Sequence, residues 1–115
     1  MSKRWTLPWL TLIICATFVS DAIGSYQTGF QLLSQCEAAD YSVCLGYIEG
    51  IVDITSAARQ KGSPMRSPCI PVGAPVQLRL IVIQHLRREA KLLHFEASLL
   101  VYDALMAAFP CSEGG

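Results

Sequence analysis

The sequence predicts an all-α fold: a small four-helix, disulfide-bonded domain that follows a cleaved signal peptide. Three observations carry that expectation. Apolar residues recur at helical steps through most of the chain. Four of the five cysteines lie beyond a hydrophobic leader. The block 62–75 holds Gly62, Pro64, Pro68, Pro71, Gly73 and Pro75, a composition that breaks any regular element. With 115 residues there is room for one domain. A net charge of zero beside 52% hydrophobic residues excludes an intrinsically disordered chain and leaves no basic footprint for nucleic acid.

The first 24 residues read as the signal. Lys3 and Arg4 form a positive start, Trp5 to Val19 runs without a charge, and small residues follow at Ser20-Asp21-Ala22 or Ala22-Ile23-Gly24. Cleavage after Ala22 or Gly24 is expected, dividing the chain into 1–24 and 25–115. The apolar run is about fifteen residues, and a membrane span needs roughly 20, so no stable span is expected after processing. Cys15 leaves with the leader. A lipid anchor on Cys15 is disfavoured because Ile14 stands where a small side chain is needed. Four cysteines then remain, Cys36, Cys44, Cys69 and Cys111. An even number in a small exported chain reads as a disulfide framework. Zinc is the competitor, but there is no Cys-x-x-Cys, and His85 and His94 do not sit at ligand spacing.

The first helix is expected from Thr28 to about Cys36. It opens on Thr28-x-x-Gln31, a capping-box pattern, with Phe30, Leu33 and Leu32 as its apolar side. The second runs from about Ser42 to Lys61, capped by Asp40 or Ser42, with Leu45, Ile48, Val52 and Thr55 at helical spacing. Arg59 and Lys61 then meet the negative end of the helix dipole, and Gly62 suits a left-handed exit. Residues 62–75 form a stiff loop, and Pro75 suits a first helical position. From Val76 to about Arg88 the pattern is ambiguous. Val76 to Leu80 alternates as a strand does, and Ile81, Val82 and Ile83 are β-branched. A nearly fully buried helix is favoured, because a lone strand would have no partner. In the fourth helix, Phe95, Leu99, Tyr102, Met106 and Phe109 fall at steps of four and three, predicting a continuous apolar seam. Pro110 ends it. A turn is expected at Leu92-Leu93-His94.

Four cysteines permit three pairings. In an up-down bundle Cys36 and Cys44 lie at one end, Cys69 and Cys111 at the other. Pairing Cys36 with Cys44 and Cys69 with Cys111 therefore avoids bridging roughly 20 Å or more of helix. The chain-entropy treatment assigns the two closures about 2.5 and about 4 kcal/mol.

No catalytic constellation emerges, and neither cofactor nor metal is expected. Neither histidine adjoins a free thiol. His85 and Glu89 read as an exposed ion pair, and Glu49 and Asp53 as a solvated face. Gly46 and Gly50 would let another helix approach closely. The chain reads as a binding or structural protein.

An ordered series of blocks is more specific: Leu32-Leu33-Ser34-Gln35-Cys36, then Cys44-Leu45-Gly46-Tyr47-Ile48-Glu49-Gly50-Ile51-Val52-Asp53, then Cys69-Ile70-Pro71, then Phe109-Pro110-Cys111. The series resembles the Rap/Tai family of type VI secretion immunity proteins across essentially the whole mature chain. That resemblance implies a periplasmic, all-helical, non-catalytic protein that binds a peptidoglycan-cleaving amidase effector and blocks its cleft. Such an inhibitor needs a preorganised contact, which the 62–75 loop suits. Met65 and Arg66 are the first candidates for that contact, with Arg59 and Lys61 as secondary ones. Competing readings are a periplasmic acid-stress chaperone of the HdeA type and an envelope accessory subunit. A homodimer is compatible with the high apolar content.

Overall fold

The computed structural model describes residues 26–73 and 75–111; the expected leader and Cys15 lie outside them. Four helices follow in order: α1 (Gly29–Glu37), α2 (Ser42–Gln60), α3 (Pro75–Arg88) and α4 (Ala97–Ala108), with a 3-10 turn at Ala90–Leu92 before α4. The all-α expectation holds. Among the described residues the only β pairing is an isolated bridge between Thr28 and Glu96.

That bridge explains how two helices start. Thr28 and Gln31 form the expected capping box, with the Thr28 amide donating to Gln31 Oε1 at 2.9 Å and the Gln31 amide to Thr28 Oγ1 at 3.4 Å. The next free amides of α1, on Gly29 and Phe30, donate to the carbonyls of Phe95 and Leu93 at 3.0 Å each. In return the Ala97 amide at the head of α4 donates to the Gln27 carbonyl at 2.8 Å. Each helix start thus satisfies donors the other would leave bare. The heads of α1 and α4 lie together, whereas a strict up-down bundle would place them at opposite ends. Gly29 permits the approach. A Cβ there would sit 2.5 Å from Leu100 Cδ1 and 3.0 Å from Leu93 Cα and O.

The N-cap of α2 is Tyr41, which makes no side-chain cap bond, and not Asp40 or Ser42 as expected. Asp40, one residue earlier, still accepts at Oδ1 from the Ser42 amide at 3.1 Å. At the other end Gly62 takes φ +73°. The Gly62 amide donates to the Arg59 carbonyl and the Ser63 amide to Ala58, the paired bonds of a Schellman stop. Helix α3 begins at Pro75 as expected and resolves the strand-like alternation in favour of a helix. It is not nearly fully buried, however. Leu78, Val82, Ile83 and Leu86 form one buried stripe, while Val76 and Leu80 are about half exposed. Arg79 ties this helix to α1, its Nε donating to the Cys36 carbonyl at 2.8 Å while the guanidinium lies 3.9 Å from the Tyr41 ring centre.

The seam expected on α4 is corrected. The buried stripe is Ala97, Leu100, Val101, Ala104 and Leu105, whereas Phe95 precedes the helix at 47% exposure and Leu99 is 54% exposed. The helix is apolar nearly all round, so the 3.6-residue period admits two overlapping stripes. Small side chains at 97 and 104 let the second stripe pack closer. In α1 the same correction applies. Leu32 and Cys36 point into the core and Phe30 is exposed. Gly46 and Gly50 receive no neighbouring helix; a Cβ at either would meet open space. His85 and Glu89 meet only through the backbone, the Glu89 amide donating to the His85 carbonyl. The ion pair that does form joins Arg87 to Glu37.

Both disulfides pair as expected. Cys36–Cys44, with Cα atoms 4.9 Å apart, is wholly buried among Leu32, Ile48, Val82, Leu86, Val101 and Leu105. Cys69–Cys111, with Cα atoms 5.0 Å apart, fastens the proline-rich loop to the end of α4.

Candidate functional site

The loop between α2 and α3 lacks regular structure, yet side chains and backbone groups from two helices hold it. Thr55, buried inside α2, donates its hydroxyl to the carbonyls of Ile51 and Val52 at 2.9 and 3.0 Å. Its own carbonyl accepts from Ser67 Oγ at 2.7 Å, in a buried bond. Those two residues are the only buried polar ones described, and each is satisfied. From α4, the Tyr102 hydroxyl donates to the Arg66 carbonyl at 2.7 Å, and the Cys69 amide donates to the Phe109 carbonyl at 2.9 Å. Together with the prolines, which fix φ, these bonds make the loop a preformed surface.

Arg59 stands at the centre of the brace. Its Nη2 donates to the carbonyls of Ser67 and Pro68 at 2.7 and 3.1 Å, and lies 2.8 Å from Cys111 Sγ and 3.3 Å from Cys69 Sγ. A last-turn arginine was legible as a complement to the helix dipole; its reach into the loop was not. Met65 is 45% exposed at the outer bend, with its amide donating to Ser63 Oγ at 3.2 Å. Arg66 contributes a tethered carbonyl and an exposed side chain, and Lys61 is exposed at the end of α2. All four named contact candidates are exposed, and Arg59 alone among them turns its guanidinium onto the loop. In the sequence Thr55 and Tyr102 figure only as members of helical stripes and Ser67 not at all, so their hold on the loop was not foreseen. Each acts across at least 12 positions, which local spacing does not reveal.

Beside the loop a cleft of ≈ 570 Å³ opens, with Glu49, Val52 and Ser56 of α2 facing Ile70 and Pro71, and Leu78 among its lining residues. Glu49 and Asp53 are both exposed, in keeping with a solvated face. Two groups depart from their ordinary ionisation. Bonds from the Ser42 side chain and amide hold the Asp40 carboxyl below its usual range. Partial burial pushes the Tyr47 hydroxyl up; a bond to Ser98 opposes this, and the nearby Glu96 charge adds to it. Neither group lies in the loop. Among the described residues, no cluster of three His, Cys, Asp or Glu could hold a metal ion, and no helix is long and apolar enough to cross a membrane.

Comparison with known proteins adds the family. A family model described as Rap1a immunity proteins matches residues 28–111. No curated protein and no solved structure matches. The matched stretch runs from the capping threonine of α1 to the cysteine that closes the second disulfide, so it contains all four helices and the braced loop. On that match the chain belongs to the family of Rap1a immunity proteins.

Proposed function

We propose that this chain is a periplasmic immunity protein that binds and inhibits a peptidoglycan amidase effector delivered by type VI secretion, with the 62–75 loop as its inhibitory contact. Family membership supports the general role, since an immunity protein acts by binding a cognate effector rather than by catalysis. Two disulfides suit an oxidising compartment outside the cytoplasm, where such an effector would act. The observation that carries the reading is the brace. A loop tied by Arg59, Ser67, Tyr102 and Cys69 loses little entropy on entering a cleft. Met65 supplies the apolar contact, Arg66 a charged anchor and Lys61 a second cation at the loop's base, while Arg59 keeps the loop in shape.

Co-expression of the exported chain with its cognate amidase in the periplasm tests this. Rescue from lysis is the expected outcome. The double variant Met65→Asp with Arg66→Glu should weaken amidase binding by at least about 30-fold, equivalent to about 2 kcal/mol, as expected for central contact residues. An unchanged dissociation constant by titration calorimetry would remove the loop from the interface.

A further inference from the structure

The two disulfides occupy opposite environments. Cys36 and Cys44 are each 0% exposed and belong to the apolar core. An attacking thiolate must reach a sulfur directly, so burial closes that bond to exchange. Cys69 is exposed and Cys111 partly so, and the cleft lined by Arg59, Pro68 and Cys69 opens beside them. The guanidinium of Arg59 lies 2.8 Å from one sulfur and 3.3 Å from the other. A fixed cation at that distance lowers the pKa of a thiol, and a thiol of lower pKa leaves faster.

From this contrast we propose that Cys69–Cys111 is a thiol–disulfide exchange site, opened by a dithiol reductant while Cys36–Cys44 stays closed, and that its opening loosens the far half of the loop, residues 69–73. In the first step a reductant thiolate bonds to Cys69 Sγ, the S–S bond breaks, and its electron pair leaves on Cys111 as a thiolate facing Arg59. The second reductant thiol, after losing its proton, attacks the mixed disulfide and expels the Cys69 thiolate. The reductant ends as a disulfide, two electrons have passed to the protein, and both cysteines are free thiols or thiolates. The far half of the loop is then tied to the end of α4 by the Cys69–Phe109 backbone bond alone. The consequence for inhibition rests on the function proposed above. Under that reading, oxidation of this one bond strengthens inhibition by fixing the far end of the contact loop.

The test treats the oxidised mature chain with graded dithiothreitol, quenches by alkylation, and maps the labelled cysteines by mass spectrometry. A species labelled at Cys69 and Cys111 with Cys36–Cys44 intact should accumulate, forming at least about ten-fold faster than the fully reduced chain. It should keep its helical circular dichroism while amide exchange rises across 69–73. Simultaneous loss of both bonds, or earlier loss of Cys36–Cys44, overturns the proposal. Arg59→Gln should slow opening by about 3–10-fold through the weaker leaving thiolate, and Arg59→Lys should restore the rate. An Arg59→Gln rate equal to or above that of the parent overturns the part assigned to the arginine. Amidase affinity is then measured on the selectively opened species. A loss ties the bond to inhibition, whereas unchanged affinity breaks that tie and locates the failure in the loop's function, not in the exchange site.

Discussion

At Gly29 a missing Cβ decides how two helices begin. The amide donates to Phe95, the next amide donates to Leu93, and Leu100 packs where a side chain would otherwise project. Three atoms within 3.0 Å of an added Cβ, two of them in backbone, leave no cheap relief. Gly29→Ala should therefore destabilise the domain by about 1–3 kcal/mol, the range for overpacking, even though alanine favours a helix over glycine by about 1 kcal/mol. Urea unfolding checks this; a variant as stable as the parent would mean that the heads of α1 and α4 are not in contact. The glycines at 46 and 50 make the contrast. They look like a helix-packing motif in the sequence and face open space in the structure, because spacing alone does not name the face a helix turns inward.

Helix α4 shows the same limit over a longer span. Its large aromatic and aliphatic residues trace one stripe and its buried residues another, offset by one to two positions. The face left outward is not idle, since Tyr102 uses its hydroxyl to hold the Arg66 carbonyl. Together α2 and α4 hold the loop from its two sides, α2 through Thr55 and Arg59, α4 through Tyr102, Phe109 and Cys111. Removing one bond should loosen the loop without touching the core. Tyr102→Phe should cost about 0.5–1.5 kcal/mol and raise hydrogen exchange in 63–69. Protection at Leu32, Ile48 and Leu105 should stay at parental levels. Loss of protection at all of these sites together would show that loop and core form one cooperative unit.

Across the whole molecule, no titratable side chain is among the buried residues described. Stability near neutral pH is then set by apolar packing around Cys36–Cys44, and its pH dependence comes from the periphery. The Asp40 carboxyl titrates below its ordinary value of 3.8 in the folded chain. Its contribution is present above that value and is lost as pH falls through the lowered one. The Tyr47 hydroxyl titrates above its ordinary value of 10.0. Its contribution is present below that value and fades as pH rises through it. The urea midpoint should thus be flat from about pH 5 to about pH 9 and fall on both sides. Asp40→Asn should remove part of the acid limb and Tyr47→Phe part of the alkaline one. A midpoint that moves between pH 6 and 8 would point to a buried ionisable group instead.

Much of the architecture is legible in the sequence itself. Helix number and order, the Thr28–Gln31 cap, the Gly62 stop, the Pro75 start and the disulfide pairing follow from local chemistry and from chain distance. Each depends on residues a few positions apart, or on which end of a helix a cysteine occupies. Tertiary structure decided which faces of α1, α3 and α4 turn inward, that the heads of α1 and α4 lie side by side, and that Arg59 folds back over the loop. Those outcomes depend on contacts between distant segments. Where a helix is apolar on several sides, hydrophobic period fixes the element but not its rotation, and only close packing against a neighbour selects one face.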